Sequence, residues 1–233
     1  MPTGYSRSPK LLKGALVKLG EGFLGPIPNV IVFQYNPEKL NRQFTSASTA
    51  QHSGVDAGSA NTAEPFDPQE SFTVTLELDA TDALEDPGSH PVAAVSGIAD
   101  RIAALEMMVY PVASGDLING LTNAIGLTSE TVPRNHVPVI LFIWGPGRIQ
   151  PVRITSFSVD EQAFSPTLFP IRATVTLGLK VLKLESFPAL AANRTLSEDL
   201  AVISYKYTKG LKEILARANL ANSAESILAM LPF

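Results

Sequence analysis

Residues 71–79 read SFTVTLELD, and in them Phe72, Val74, Leu76 and Leu78 alternate with Thr73, Thr75 and Glu77. A period of two puts every second side chain on the same face of a strand, so this stretch predicts a β-strand with one buried apolar face and one polar face. The alternation returns in residues 170–184, where Ile171, Ala173, Val175, Leu177 and Leu179 face one way and Arg172, Thr174, Thr176 and Lys180 the other. Residues 137–144, VPVILFIW, are nearly continuous apolar chain and predict a strand covered on both faces, stopped by Gly145-Pro146-Gly147. Residues 151–159 predict a further strand. Another is expected at 30–35, VIVFQY, where Asn36-Pro37 ends the β-branched and aromatic run as a turn.

Elsewhere the period changes. Over residues 92–109, Val95, Ile98, Ile102, Leu105 and either Met108 or Val109 recur at three- and four-residue steps, the stripe of one amphipathic helix, with Pro91 in its first turn and Pro111 ending it. After Pro188 the chain turns helical. TLSE at 195–198 has the spacing of a capping box, opening a helix to about residue 217 that Gly210 interrupts, with a shorter helix over 224–230. Residues 45–69 have no periodicity and few large apolar groups, so they read as a mobile loop or an interface arm, and 111–136 read as an apolar, irregular insertion. The sum is a β-rich α+β body over 1–188 with one principal flanking helix, followed by a helical segment at 189–233.

Composition limits what this body does. The 233 residues make one large domain or one domain with an appendage. Charged residues are 17% of the chain, below the usual ~25%, so something other than a highly charged surface must keep it in solution. A net charge of −4, with basic residues that nowhere cluster, argues against capture of nucleic acid or anionic lipid. With no cysteine there is no thiol catalysis, disulfide or thiolate zinc site. The first residues lack the apolar core of a secretory signal, and no stretch approaches the ~20 apolar residues of a membrane span.

Catalytic chemistry finds little to work with. His52, His90 and His136 are far apart in the chain and belong to no hydrolase, metalloprotease or phosphate-loop pattern, so each is expected to serve loop solvation or a local hydrogen bond. Asp79, Asp82, Glu85 and Asp86 could attract a divalent cation but lack the spacing of a calcium loop, and a solvated turn is the better reading. Trp144, the single tryptophan, closes the most apolar strand; core packing is favoured over an interface anchor, and Phe33 and Tyr35 face the same choice. No catalytic, cofactor or metal residue is expected.

Four segments in order carry a resemblance. VIVFQYNPEKL, through Phe33, Tyr35, Asn36, Pro37 and Leu40, resembles the "Phe, any, aromatic, Asn-Pro, any, any, Leu" signature of the tube-type baseplate proteins of contractile injection systems, phage-tail-like particles that include the antifeeding prophages. SFTVTLELDATD resembles that family's strand ending in an Asp-containing turn, and VPVILFIWGPG its strand ending in Trp-Gly, here Trp144 and Gly145. FSPTLFPIRATVTLGLKVL resembles its final strand through Leu168, Phe169, Pro170, Arg172 and Ala173. The resemblance, over about residues 11–185, implies a tail-tube-like β-sandwich or partly closed barrel that forms a homo-hexameric ring. Its partners would be the inner tube protein, the spike protein and other baseplate or sheath proteins, with no nucleic acid and no membrane insertion. It implies assembly in the cytoplasm into a particle, a spike-to-tube adaptor role, no enzymatic activity, and turn-forming and packing roles for the residues named. The run ARANLANSAESILAMLP resembles the second helix and final strand of a LysM module whose opening Tyr-x-Val-x-x-Gly-Asp-Thr strand is absent, which implies a degenerate docking appendage. The alternative is a LysM-type protein that binds cell-wall peptidoglycan.

Overall fold

The computed structural model describes residues 12–19, 30–46, 67–110 and 138–230, with the side chains of 221–230 outside the description. The polar arm, the apolar insertion, His52 and His136 fall wholly or mostly outside those residues. Seven strands, β1 (Ala15–Leu19), β2 (Val30–Val32), β3 (Leu40–Thr45), β4 (Gln69–Asp79), β5 (Val139–Ile143), β6 (Ile149–Phe164) and β7 (Pro170–Val181), form one antiparallel sheet in the order β2-β1-β5-β6-β7-β4-β3. Four helices accompany them: α1 (Thr81–Glu85), α2 (Pro91–Ser96), α3 (Ala99–Val109) and α4 (Leu196–Met230). The β-rich α+β class is the expected one.

The alternating stretches form the centre of the sheet. Nine consecutive register pairs join β4 to β7, from Ser71–Lys180 to Asp79–Arg172, and they match Val74 to Leu177 and Leu76 to Val175 on the buried face. That face curls. Phe72 on β4 and Phe142 on β5 lie three strand positions apart, about 14 Å across a flat sheet, yet their ring centroids are 5.4 Å apart. No backbone pairing joins β2 to β3 among the described residues, so the sheet stays open, a half-barrel filled by its own side chains. Each fully buried Phe or Leu contributes roughly 1.5–3 kcal/mol, and Leu16, Phe72, Phe142, Leu177 and Leu179 are all below 2% exposed or at it.

The helix expected over 92–109 is two helices. Its inner stripe holds, since Ile98, Ile102, Leu105 and Met108 are buried in the core, but Val95 is exposed. The break is at Gly97, whose φ of +59° ends α2; an added Cβ would lie 2.1 Å from the carbonyl oxygen of Pro170. The next residue, Ile98, donates its N–H to that oxygen at 2.9 Å, so the helix pair is hung from the first residue of β7. Only a residue without a side chain allows this approach.

Three further boundaries differ from expectation. The strand in VIVFQY stops at Val32, because Phe33 turns inward and gives its N–H to Gly14. β6 runs on to Phe164, and β1 and β3 are strands that the pattern does not reveal. The C-terminal segment is one helix of 35 residues that passes through Gly210. A helical glycine costs about 1 kcal/mol, and contacts from Tyr205, Thr208, Lys209 and Lys212 on both sides of it hold the helix to the sheet. Its capping box forms as expected: Thr195 N–H donates to Glu198 Oε2 at 2.8 Å and Glu198 N–H to Thr195 Oγ1 at 3.3 Å.

Candidate assembly surface

Asn-Pro turns are common, so what the motif at 33–40 does must be read from its contacts. Phe33 is 2% exposed and lies beside Trp144, ring centroids 6.3 Å apart, while Trp144 lies 6.0 Å from Phe142. Gly14 completes this stack, because an added Cβ there would sit within 3 Å of both the Phe33 and Trp144 rings. Trp144 is half-buried against the core, whereas Tyr35, 47% exposed, is not part of it. The two aromatic residues of the motif therefore have different fates.

The polar residues of the motif act on backbone. Asn36 Oδ1 accepts the N–H of Gly14 at 2.9 Å and its Nδ2 donates to the carbonyl of Leu12 at 2.8 Å, an amide taking the place of a missing strand neighbour. Gln34 does the same at the far end of the sheet. Its Nε2 donates to the carbonyl of Asp79 at 2.8 Å and its Oε1 accepts the N–H of Asp79 at 3.1 Å. Arg101 of α3 donates to the same Oε1 at 2.6 Å. The segment after β2 and the end of β4, five positions apart in the sheet, are joined through this one side chain.

Asp79 organises the neighbouring turn. Its Oδ2 accepts from Arg172 Nε at 2.9 Å and lies 2.8 Å from Nη2, while Oδ1 accepts from the N–H and hydroxyl of Thr81. The Thr81 hydroxyl first, and then the Thr81 N–H and Arg172, hold its carboxyl below the usual carboxylate range against the opposing effect of partial burial. Tyr35, Glu77, Asp79, Gln162 and Arg172 line one surface groove. The rest of the expected residues are dispersed. Leu40 is half-buried on β3, Gly145 makes its turn at φ +68°, Pro170 and Ala173 are buried on β7, and Leu168 and Phe169 stand exposed at the tip of the β6–β7 hairpin.

Sequence reasoning passed over a second cluster. Glu70, on the inner face at the start of β4, is 5% exposed and accepts from Gln150 Nε2 at 2.9 Å and Lys212 Nζ at 2.7 Å; Arg42 Nε lies 3.4 Å from its other oxygen. Beside it Asp67 takes the Tyr205 hydroxyl at 2.9 Å and Lys209 Nζ at 2.8 Å. Lys209 and Tyr205 hold the Asp67 carboxyl below its ordinary range, and burial together with Asp67 pushes the Tyr205 phenol upward. These groups seat α4 on the open end of the half-barrel. The lone glutamate of QESF at 69–72 was the available signal, a charge at a position where alternation calls for an apolar residue.

Among the described residues no three His, Cys, Asp or Glu side chains are placed to hold a metal ion, and no described helix is long and apolar enough to cross a membrane. His90 sits at the start of α2 without a capping bond. The polar side chains complete broken backbone pairing or seat a helix, and among the described residues the outer edges of β2 and β3 have no strand partner. The chain belongs to the contractile injection system tube protein family, whose model matches residues 23–186. Comparison with curated proteins gives no match.

Proposed function

We propose that this tail-tube component is the baseplate ring protein of its particle, a homo-hexamer between spike and inner tube. One observation carries the reading: among the described residues the half-barrel is left open along β2 and β3, and β6 has no neighbour on its β5 side beyond Val152. Such edges are an aggregation hazard in a monomer and a joint in a ring. On this reading the residues of the motif at 33–40, with Trp144, Arg172 and Ala173, fix the shape of the subunit, and neighbouring copies meet at the edges. The helix α4 is the docking segment: from residue 213 to 220 every side chain is exposed, including Ile214, Leu215 and Leu220. Its continuity through Met230 supports a docking arm in preference to a glycan-binding module.

Labelling the chain in purified particles and imaging by negative stain tests the assignment. The label is expected at the baseplate end of the tube, once per particle end. A chain that is monomeric and missing from every tail-like particle contradicts it.

A further inference from the structure

Basic residues that nowhere cluster in the sequence are gathered by the fold at the charged end of the half-barrel. Arg42 of β3, Arg148 of the β5–β6 turn, Lys183 after β7, and Lys209 and Lys212 of α4 meet there around Asp67 and Glu70, with Glu185 3.8 Å from Lys183. Five cations face three carboxylates, and the surplus is on the arginines. Arg42 reaches Glu70 only through Nε, at 3.4 Å. Arg148 is half-buried, its guanidinium 5.4 Å from the centre of the Phe72 ring, and among the described residues it has no hydrogen-bond acceptor and no ion pair. Burial first, and the Arg42 charge next, lower the Arg148 guanidinium from its ordinary value against the pull of Glu70. Two neighbouring guanidinium groups with spare N–H donors call for an anion.

Glu70 calls for the opposite. Its Oε2 accepts from Gln150 and Lys212, while its Oε1 and the Oε1 of Gln150 are buried with no hydrogen-bond partner among the described residues. Both residues line a cavity of about 150 Å³ together with Lys183, Lys209 and Lys212. Sulfate or a carboxylate satisfies the arginines and leaves these two oxygens unpaired, because at neutral pH neither has a proton to give. Hydrogen phosphate has acceptor oxygens and an O–H, and so answers both demands.

We propose that this cluster is a binding site for a phosphate group that retains a proton. Its charged oxygens accept from Arg42 and Arg148, and its O–H donates to Glu70 Oε1 or Gln150 Oε1. The free ion and a phosphomonoester share this chemistry. The site uses neither open edge of the sheet and does not depend on the assembly reading above.

Calorimetric titration of the full-length chain, at an ionic strength held constant with sodium chloride, tests it. Inorganic phosphate is expected to bind saturably, about tenfold or more tightly than sulfate. Arg148→Met keeps the apolar stem beside Phe72 and removes the charge. It is expected to weaken phosphate about tenfold and to leave the melting temperature without phosphate within a few degrees of the natural chain. Arg153→Met, on the outward face of β6, removes a charge elsewhere and should leave phosphate affinity unchanged. Glycerol 3-phosphate that binds as tightly as the free ion assigns the site to monoesters, and binding of inorganic phosphate alone assigns it to the ion. Sulfate bound as tightly as phosphate, affinity unmoved by Arg148→Met, or no saturable phosphate binding overturns the inference.

Discussion

The two ends of the half-barrel are closed by opposite chemistry. Where β4 ends, neutral amides do the joining: Gln34 pairs with both backbone groups of Asp79, and Asn36 pairs with Gly14 and Leu12. Where β4 begins, charges do it: Glu70 with Lys212, and Asp67 with Lys209 and Tyr205, holding a helix against the open end. An amide that satisfies a backbone donor and acceptor together is indifferent to pH and salt and makes that end part of the sheet. An ion pair holding a helix leaves the helix separable from the body. The first end sets the shape of the subunit, and the second carries an arm.

The largest test of this contrast lies beside the amide end. Gly97→Ala forces a side chain into a positive-φ residue and against the Pro170 carbonyl, and should cost about 3–5 kcal/mol in denaturant unfolding of the whole domain. Gln34→Leu leaves the N–H of Asp79 without its acceptor, and leaves the Asp79 carbonyl and Arg101 Nη1 only their mutual contact at 3.3 Å. It is expected to cost roughly 2–3 kcal/mol, again as global unfolding. Lys212→Met, at the charged end, removes one cation from buried Glu70 and should cost about 1–2 kcal/mol; here hydrogen exchange should quicken in α4 near the substitution while β4 and β7 stay protected. Equal loss of protection in the sheet would abolish the distinction between the two ends.

The smallest effect is one of pH. The folded Asp67 carboxyl titrates below its unfolded value, so its contribution is fully present above an ordinary carboxylate pKa of about 3.9 and is lost as pH falls through the lower folded value. More than a third of its side chain is exposed, so the effect is at most ~1 kcal/mol. Below about pH 4, exchange in α4 around Tyr205 and Lys209 should rise; the pair of amide bonds between Gln34 and the Asp79 backbone does not titrate, and any response at that end comes from the Asp79 carboxyl with Thr81 and Arg172.

What the sequence makes legible follows from how evenly polarity tracks burial. β4 and β7 alternate cleanly over Phe72–Leu78 and Ile171–Val181 because there one face is apolar and the other polar, and the strands fall where the period places them. β3 hides because LNRQFT is an edge strand exposed at every residue after Leu40, so no apolar alternation marks it; Arg42 lies 4.7 Å from the Phe44 ring and pairs with Glu70, contacts that leave no periodic trace in the sequence. β1 hides because five residues give too short a period. The break at Gly97 depends on the carbonyl of Pro170, 73 positions on, and local periodicity holds no trace of it. Gln34 stands at an "any" position of the motif although its amide ties the sheet together, while Phe33 and Asn36 beside it are recognisable. Part of the low charge content lies on the outward side of β6, β7 and β4, where Ser156, Gly178 and Thr73, and next to them Ser158, Thr176 and Thr75, are cross-strand neighbours without charge.

Native mass spectrometry of the full-length chain at low salt tests the central claim most directly. A subunit whose open sheet edges are the joints of a ring should appear as a hexamer, with dimers and trimers on the path as concentration is lowered. A monomer at every concentration, with a folded spectrum, would contradict the account.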